Sequence, residues 1–377
     1  MDDDRARPVV IVGGGIGGLS AAIALRRSGV EALVYERAPE LREVGAGISL
    51  WPNATRVLRR WGVLDDVVRR GFVFRRGEIR TAKGALLQRM GLPDSDAPHV
   101  LIHRADLHAA LADALPPWAV TLGAELRGFD EAGGVVRAHF DDFGAVEGRA
   151  LVGADGIRSA VRAQLLGDGA PVYRGYAVWR GVAQVGDGID ALSESLGAGL
   201  RFGVVPIGGG RVAWWAAANE PEGGDDGDRK AKLLRLFGAW HAPVPQLIDA
   251  TPADEILRND TCDRPPVRGW GRGLVTLLGD AAHPTTPNFG QGGCMAIEDA
   301  AVLAASLAAT DDVAAALRDF EARRYRRTTW ITRQSLRYGR LAQLASPVGV
   351  RVRDLLFRLT PQAVTDGTLR RMFAFEA

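Results

Sequence analysis

The chain has little cysteine, little net charge and no long apolar run. Its 377 residues include only two cysteines, Cys262 and Cys294, far apart and without metal-ligand spacing around them. That argues against a disulfide framework and for a reducing, cytoplasmic setting. The six histidines show no metal spacing either, so no metal site is expected. A net charge of +2 gives no whole-protein field that would draw nucleic acid. No run approaches the roughly 20 apolar residues that span a bilayer, which argues against an integral membrane segment. The start, Met1-Asp-Asp-Asp4, is acidic and its first apolar run is only a strand long, unlike a signal peptide. What is abundant is glycine, at 47 residues, within a composition 47% hydrophobic. Such a chain can bury a large core and hold two closely joined domains.

The glycines cluster in two turns. Gly13, Gly15 and Gly18 follow the apolar run 9–12 and, with Ile16, open an alanine-rich helical pattern; a second apolar run, 32–35, ends at Glu36. In this β-α-β spacing the first glycine makes the turn, the second admits a pyrophosphate and the third lets helix and strand pack. Glu36 is placed to accept ribose hydroxyls, and its charge would repel a 2′-phosphate. The second turn follows the apolar run 274–278. Asp280 stands just past the strand, and Pro287, Gly290, Gln291, Gly292 and Gly293 lead into another helical run. There Asp280 can bond a polyol hydroxyl, and the helix N-terminus can stabilise negative charge on a ring lying over the glycines. Gln291 either bonds that ring or caps the helix. A nicotinamide dehydrogenase needs only the first turn; two such turns point to a flavin.

Between the turns the texture changes twice. A glycine loop, 44–53, precedes a helix containing Val57, Leu58 and Trp61; residues 72–98 read as a strand pair; His103-Arg-Ala-Asp-Leu107 opens a helix; 119–153 read as strands. Residues 172–265 alternate in a tryptophan-rich antiparallel pattern, with Gly208-Gly-Gly210 as a hairpin turn. The expected fold is α/β. A Rossmann-like domain is assembled from the discontinuous segments 1–71, 99–171 and 266–325. A mostly antiparallel β substrate domain, 72–98 and 172–265, is inserted into it. A C-terminal helical segment, 326–377, completes the chain.

Three segments, Gly13-Gly-Gly-Ile-Gly-Gly18, Gly153-Ala-Asp-Gly-Ile-Arg-Ser159 and the turn from Gly279-Asp280 to Gly293, resemble the signature of the single-component flavoprotein monooxygenases, the aromatic hydroxylase group with the p-hydroxybenzoate hydroxylase fold. Ile48-Ser-Leu-Trp-Pro-Asn53 and the run from Gly290 to Asp299 are most similar to the branch holding urate hydroxylase, salicylate-type hydroxylases and zeaxanthin epoxidase. The resemblance covers nearly the whole chain. It implies FAD as cofactor and NADPH or NADH as co-substrate. It also implies O₂ transfer, through a flavin C4a-hydroperoxide, that hydroxylates or epoxidises a small aromatic or conjugated substrate. It implies that Glu36 and Arg37 bind the adenosine end, that Ser49 and Arg104 contact FAD, and that Asp155 lies near the pyrophosphate. Asp280 would hold the ribityl chain, and Gly290, Gly292 and Gly293 the ring edge. In urate-oxidising members an acidic residue is expected where Asn288 stands and a tyrosine near Ala213, so urate fits this chain poorly.

Three questions stay open in the sequence. Arg201 either neutralises a substrate oxyanion or ends a strand in solvent, and Arg37, Arg104, Arg158 and Arg162 have surface ion pairs as their alternative. Trp179, Phe202, Trp214 and Trp215 suit a wall that keeps water from the reactive oxygen, yet some belong to a core. The arginine-rich C-terminal region, with Leu355, Leu356, Phe357 and Leu359, is a solvated helix face or a lipid-facing one. A related flavin halogenase or reductase, or a flavin-holding binding protein, is the alternative function, and the assembly is monomer or homodimer.

Overall fold

The computed structural model describes residues 7–41, 45–92, 95–141 and 143–375. Val44 of the glycine loop and the acidic start Met1-Asp-Asp-Asp4 lie outside them. At the centre is a five-stranded, wholly parallel sheet in the order Val275–Leu277, Ala150–Gly153, Val9–Val12, Ala32–Glu36, Val120–Leu122. Its middle strands are buried on both faces, which is why they read as unbroken apolar runs. The first strand in sequence is central, and later strands add on both sides of it. The chain therefore switches direction between Val9–Val12 and Ala150–Gly153, where open α/β sheets leave a crevice beyond the strand ends.

Glycine makes that crevice possible. Gly13 has φ +106°, and a Cβ there would lie 2.5 Å from the Ala154 carbonyl oxygen. A Cβ on Gly18 would meet the Gly13 oxygen at 1.8 Å. The helix Ile16–Arg27 therefore sits tight on the sheet. Helix Gly292–Ala309 packs against it and against Pro52–Arg60 and Val313–Ala342. Gly292–Ala309 is itself long and apolar enough to cross a membrane by length and composition, although the sequence was expected to hold no such run. In this fold 67% of it is buried among the other helices.

The second layer is a seven-stranded sheet in the order Leu257–Asp263, Val172–Gln184, Arg211–Asn219, Leu200–Gly208, Leu192–Leu196, Arg76–Thr81, Leu86–Gly91. All its pairs are antiparallel except Leu192–Leu196 with Arg76–Thr81. Phe72–Val73 instead joins Gly47–Leu50 through the strand Val100–His103 in a small sheet between the layers. The stretch 172–265 is not all sheet. Arg229–Phe237, capped by Asp228 accepting from the Ala231 N–H at 2.9 Å, and Val244–Ala250 are helices. They cover one face of the sheet with Leu233, Phe237, Leu247 and Ile248. Residues 326–342 continue one helix, Val313–Ala342, that begins well before them. Beyond it, Pro347–Leu359 and Gln362–Phe373 pack on the edge strand Leu86–Gly91, and the latter also touches Pro52–Arg60.

Candidate active site

One cleft of about 1390 Å³ runs from the crevice of the parallel sheet to the inner face of the seven-stranded sheet. It is lined by Gly13, Gly15, Ile16, Glu36, Arg37, Ser49, Arg104, Asp155, Asp280, Pro287, Gly290, Gly292 and Gly293, and at its far end by Arg201. Two glycine turns separated by most of the chain thus share one space. Gly18 and Gln291 do not line it. Gly18 is the packing glycine. Gln291 is buried with its amide oxygen accepting from Asn53 Nδ2 at 3.0 Å, and it makes no side-chain cap on the helix it precedes. Its side chain therefore makes no cap and sits behind the cleft, on Asn53.

At the first turn, Glu36 Oε2 accepts the Gly14 N–H at 2.6 Å and Oε1 accepts the Ala38 N–H at 2.9 Å. These bonds hold the carboxylate at the strand end, facing the cleft. His108, not anticipated from sequence, bonds the Gly14 carbonyl through Nε2 at 2.6 Å and fixes the other side of the turn. Asp155 Oδ2 accepts the Ala160 and Val161 N–H groups at 2.7 and 3.2 Å, while its Oδ1 is buried without a partner. Burial pushes its pKa up.

The second turn is clamped from behind. Arg162, for which a surface ion pair was one reading, is buried. It donates to the Ala281 and Ala282 carbonyls at 2.8 Å each and pairs with Asp168. Asp299 accepts from Gly279 N–H at 2.9 Å, His283 Nε2 lies 2.7 Å from its carboxylate, and Arg324 Nε donates to it at 2.6 Å. Arg324 and Arg327 also grip Glu298 at 2.6 Å. Burial alone would raise the Asp299 pKa, but His283, Arg324 and the Gly279 N–H overcome it and bring it to about 2. His283 is thus a structural turn residue. Helix Gly292–Ala309 starts at the cleft and directs its positive end into it.

At the far end, Arg201 is 1% exposed, which removes the solvated strand end as a reading. Its Nε donates to Gln343 at 2.9 Å, Nη1 to Glu194 at 3.1 Å and Nη2 to Asn288 at 2.8 Å. Tyr338 donates to the same Glu194 at 2.6 Å, and the guanidinium lies 5.2 Å from the Trp215 ring centre. Arg180, another lining cation, has its pKa lowered to about 10 by burial and by Arg104. Period-2 alternation sorts the rings. Trp214 and Ala216 face the helices on the outer side of the sheet, whereas Trp215 faces the cleft. Trp179 and Phe202 also belong to that outer core. Of the four rings expected to wall the site, Trp215 alone does so. Glu194, Tyr338 and Arg180 could not be picked from sequence, because nothing local marks charged residues on a strand or late helix as neighbours of Arg201.

The residues fit FAD. A side chain in place of Gly13 would strike the opposing loop, and a Cβ on Gly293 would lie 2.8 Å from Ile48 Cδ1, so the walls reach the cleft as bare backbone. When bound, FAD would supply the redox chemistry that passes electrons from NAD(P)H to O₂. Glu36 and the bare backbone of both glycine turns line one end of this cleft, and Trp215 and Arg201 line the other.

A family profile described as "FAD binding domain" matches residues 6–186 and 210–335. Aurachin C monooxygenase/isomerase of Stigmatella aurantiaca is 44% identical over 97% of this chain and 98% of its own length. 3-Amino-4-hydroxybenzoate 2-monooxygenase of Streptomyces cremeus is 37% identical over 89% of this chain and 87% of its own. The crystal structure of Klebsiella pneumoniae HpxO complexed with FAD and uric acid superimposes with a TM-score of 0.90 at 30% identity, covering 98% of this chain and 97% of that one. With both glycine turns in one cleft and these relatives spanning nearly its full length, the chain belongs to the single-component FAD-dependent aromatic hydroxylases, a family of flavin monooxygenases that take their electrons from NAD(P)H.

Proposed function

We propose that this cytoplasmic monooxygenase hydroxylates an aromatic ring that carries an extended apolar substituent. The observation behind this reading is the lining of the cleft at the end away from the glycine turns. Beyond the Arg201 corner the cleft continues between the sheet residues Ile79, Met90 and Leu192 and the helical residues Phe357, Leu369 and Met372. The ring would lie against Trp215, and Arg201 would stabilise negative charge developing on a ring oxygen. Glu36, Arg37, Ser49, Arg104, Asp155, Asp280 and the backbone at Gly290 to Gly293 would hold FAD. Arg180 and Arg104, two neighbouring cations in the cleft, favour an anionic co-substrate group there. The neutral Asn288 beside Arg201 continues to disfavour urate. Two free cysteines, Cys262 and Cys294, fit a reducing compartment.

The test compares aurachin C with 3-amino-4-hydroxybenzoate, the compounds named for the two relatives, each with NADH and with NADPH. A true substrate accelerates flavin reduction and suppresses H₂O₂ release. The reading fails if aurachin C does neither while the hydroxybenzoate does both.

A further inference from the structure

Among the described residues, twelve large hydrophobic side chains are exposed, and six of them fall between 348 and 364. Val348 (69%), Val352, Leu355 and Leu359 (68%) recur at spacings of four, three and four along the helix Pro347–Leu359, so they form one stripe; Leu356 widens it and Val364 extends it onto the next helix. Exposed leucines scattered over a surface need no explanation. A stripe of this kind on one helix does. Arg351 and Arg358 are exposed on the same helix. Its one carboxylate, Asp354, is already paired with the buried Arg353 at 2.8 Å. The outward face is therefore apolar and basic, with no acidic group of its own left to oppose an anionic partner.

The position of this face matters as much as its chemistry. Phe357 and Thr360, from the inner side of the same segment, line the cleft, as do Val364 and Thr368 from the following helix. A surface lying against the stripe would cover the cleft at its apolar end.

We propose that the Pro347–Leu359 helix docks the enzyme on an anionic lipid bilayer, with its apolar stripe in the headgroup region and Arg351 and Arg358 on lipid phosphates. Helices of this design lie in the interface plane, and each basic residue near an anionic surface strengthens binding. The docking is peripheral and leaves Gly292–Ala309 inside the fold. It stands on the surface of the helix and does not require the apolar-substituent reading of the cleft, although it would give such a substrate a short path from membrane to site.

The experiment is flotation of the full-length, FAD-loaded enzyme with vesicles of phosphatidylcholine alone or of phosphatidylcholine with phosphatidylglycerol. Binding is expected to the anionic vesicles and to weaken in high salt. Leu355→Asp combined with Leu359→Asp should lower it more than about tenfold, and Arg351→Gln and Arg358→Gln by roughly fivefold each. Trp118→Ser, which alters an exposed ring elsewhere, should leave binding as it was. Far-UV circular dichroism and FAD content verify that each variant is folded. Absence of flotation with anionic vesicles at low salt overturns the proposal, as does flotation that the leucine pair leaves unchanged or that Trp118→Ser reduces equally. A dimer in solution that the leucine pair dissolves, without vesicle binding by the parent, would assign the stripe to a second copy of the chain and also overturn it. Turnover of a water-soluble aromatic substrate is a separate readout, so loss of docking and failure of the substrate reading are distinguishable.

Discussion

Two buried arginines serve the same cleft from opposite positions. Arg324 lies behind the late glycine turn, held by Glu298 and Asp299 at 2.6 Å each, and it does not line the cleft. Arg201 is as deeply buried and held by Glu194, Gln343 and Asn288, but its guanidinium borders the open space and lies over Trp215. Burial and pairing are alike in both. What separates them is the remaining face, closed by protein for Arg324 and open to a ligand for Arg201. A buried ion pair by itself is weak evidence of function or of net stability. Its access to the cavity decides its role.

Four measurements would sharpen or break that contrast. The largest effect is expected from Arg324→Met. It strands Glu298 and Asp299 without their shared cation and should cost about 3–5 kcal/mol in denaturant unfolding, with FAD lost in parallel. A cost below about 1 kcal/mol would mean that the cluster does not clamp the turn. Arg201→Lys keeps the charge but loses the planar fork. It should lower kcat/KM about 100-fold and raise the share of NAD(P)H spent on H₂O₂, with FAD binding kept. If unfolding shows instead a loss as large as that of Arg324→Met with coupling unchanged, Arg201 is a second clamp.

The third measurement is acid titration. Asp299 has its folded pKa lowered from 3.8 to about 2. Its contribution is therefore present in full above the unfolded value near 4 and is lost as pH falls through about 2. On the order of 2 kcal/mol should disappear across that window and should be absent from the profile of Asp299→Asn. The smallest effect separates the two tryptophans. Trp214→Phe loses the bond to Thr251 Oγ1 at 2.8 Å and should cost about 1 kcal/mol of stability with KM unchanged. Trp215→Phe should move KM for the aromatic substrate and leave stability nearly as it was. The reverse pattern would place the wrong ring at the site.

Much of this molecule was legible before its structure. The strand-turn-helix at Val9 to Arg27 and Glu36 after the next strand are local features, because positive φ, close backbone approach and helix entry each restrict residue type within a few positions. The hairpin at Gly209 and Gly210, with φ +62° and +68°, is local for the same reason. Gln291 misled because a residue in a glycine turn can aim its side chain into the cleft or behind it, and only Asn53, 238 residues away, settles which. Arg162 misled because a lone arginine after a helix cap looks the same whether water or a carbonyl turn awaits it. The helices at 229–250 were hidden within a stretch whose rings and alternation signalled sheet, and those helices determine which tryptophans are core.

What the sequence determined alone is the chemistry that needs particular residue types at short range: two backbone cradles for anionic groups, an acidic strand end and thus a flavin cofactor. Tertiary structure alone decided the rest. It brought the two cradles to one cleft, turned Trp215 inward and Trp214 outward, opened Arg201 to the cavity while closing Arg324, and left the stripe on Pro347–Leu359 uncovered. The physical reason is that a side chain's role depends on what stands opposite it, and the opposing groups here come from other strands and helices, up to 142 residues away for Arg201 and 238 for Gln291.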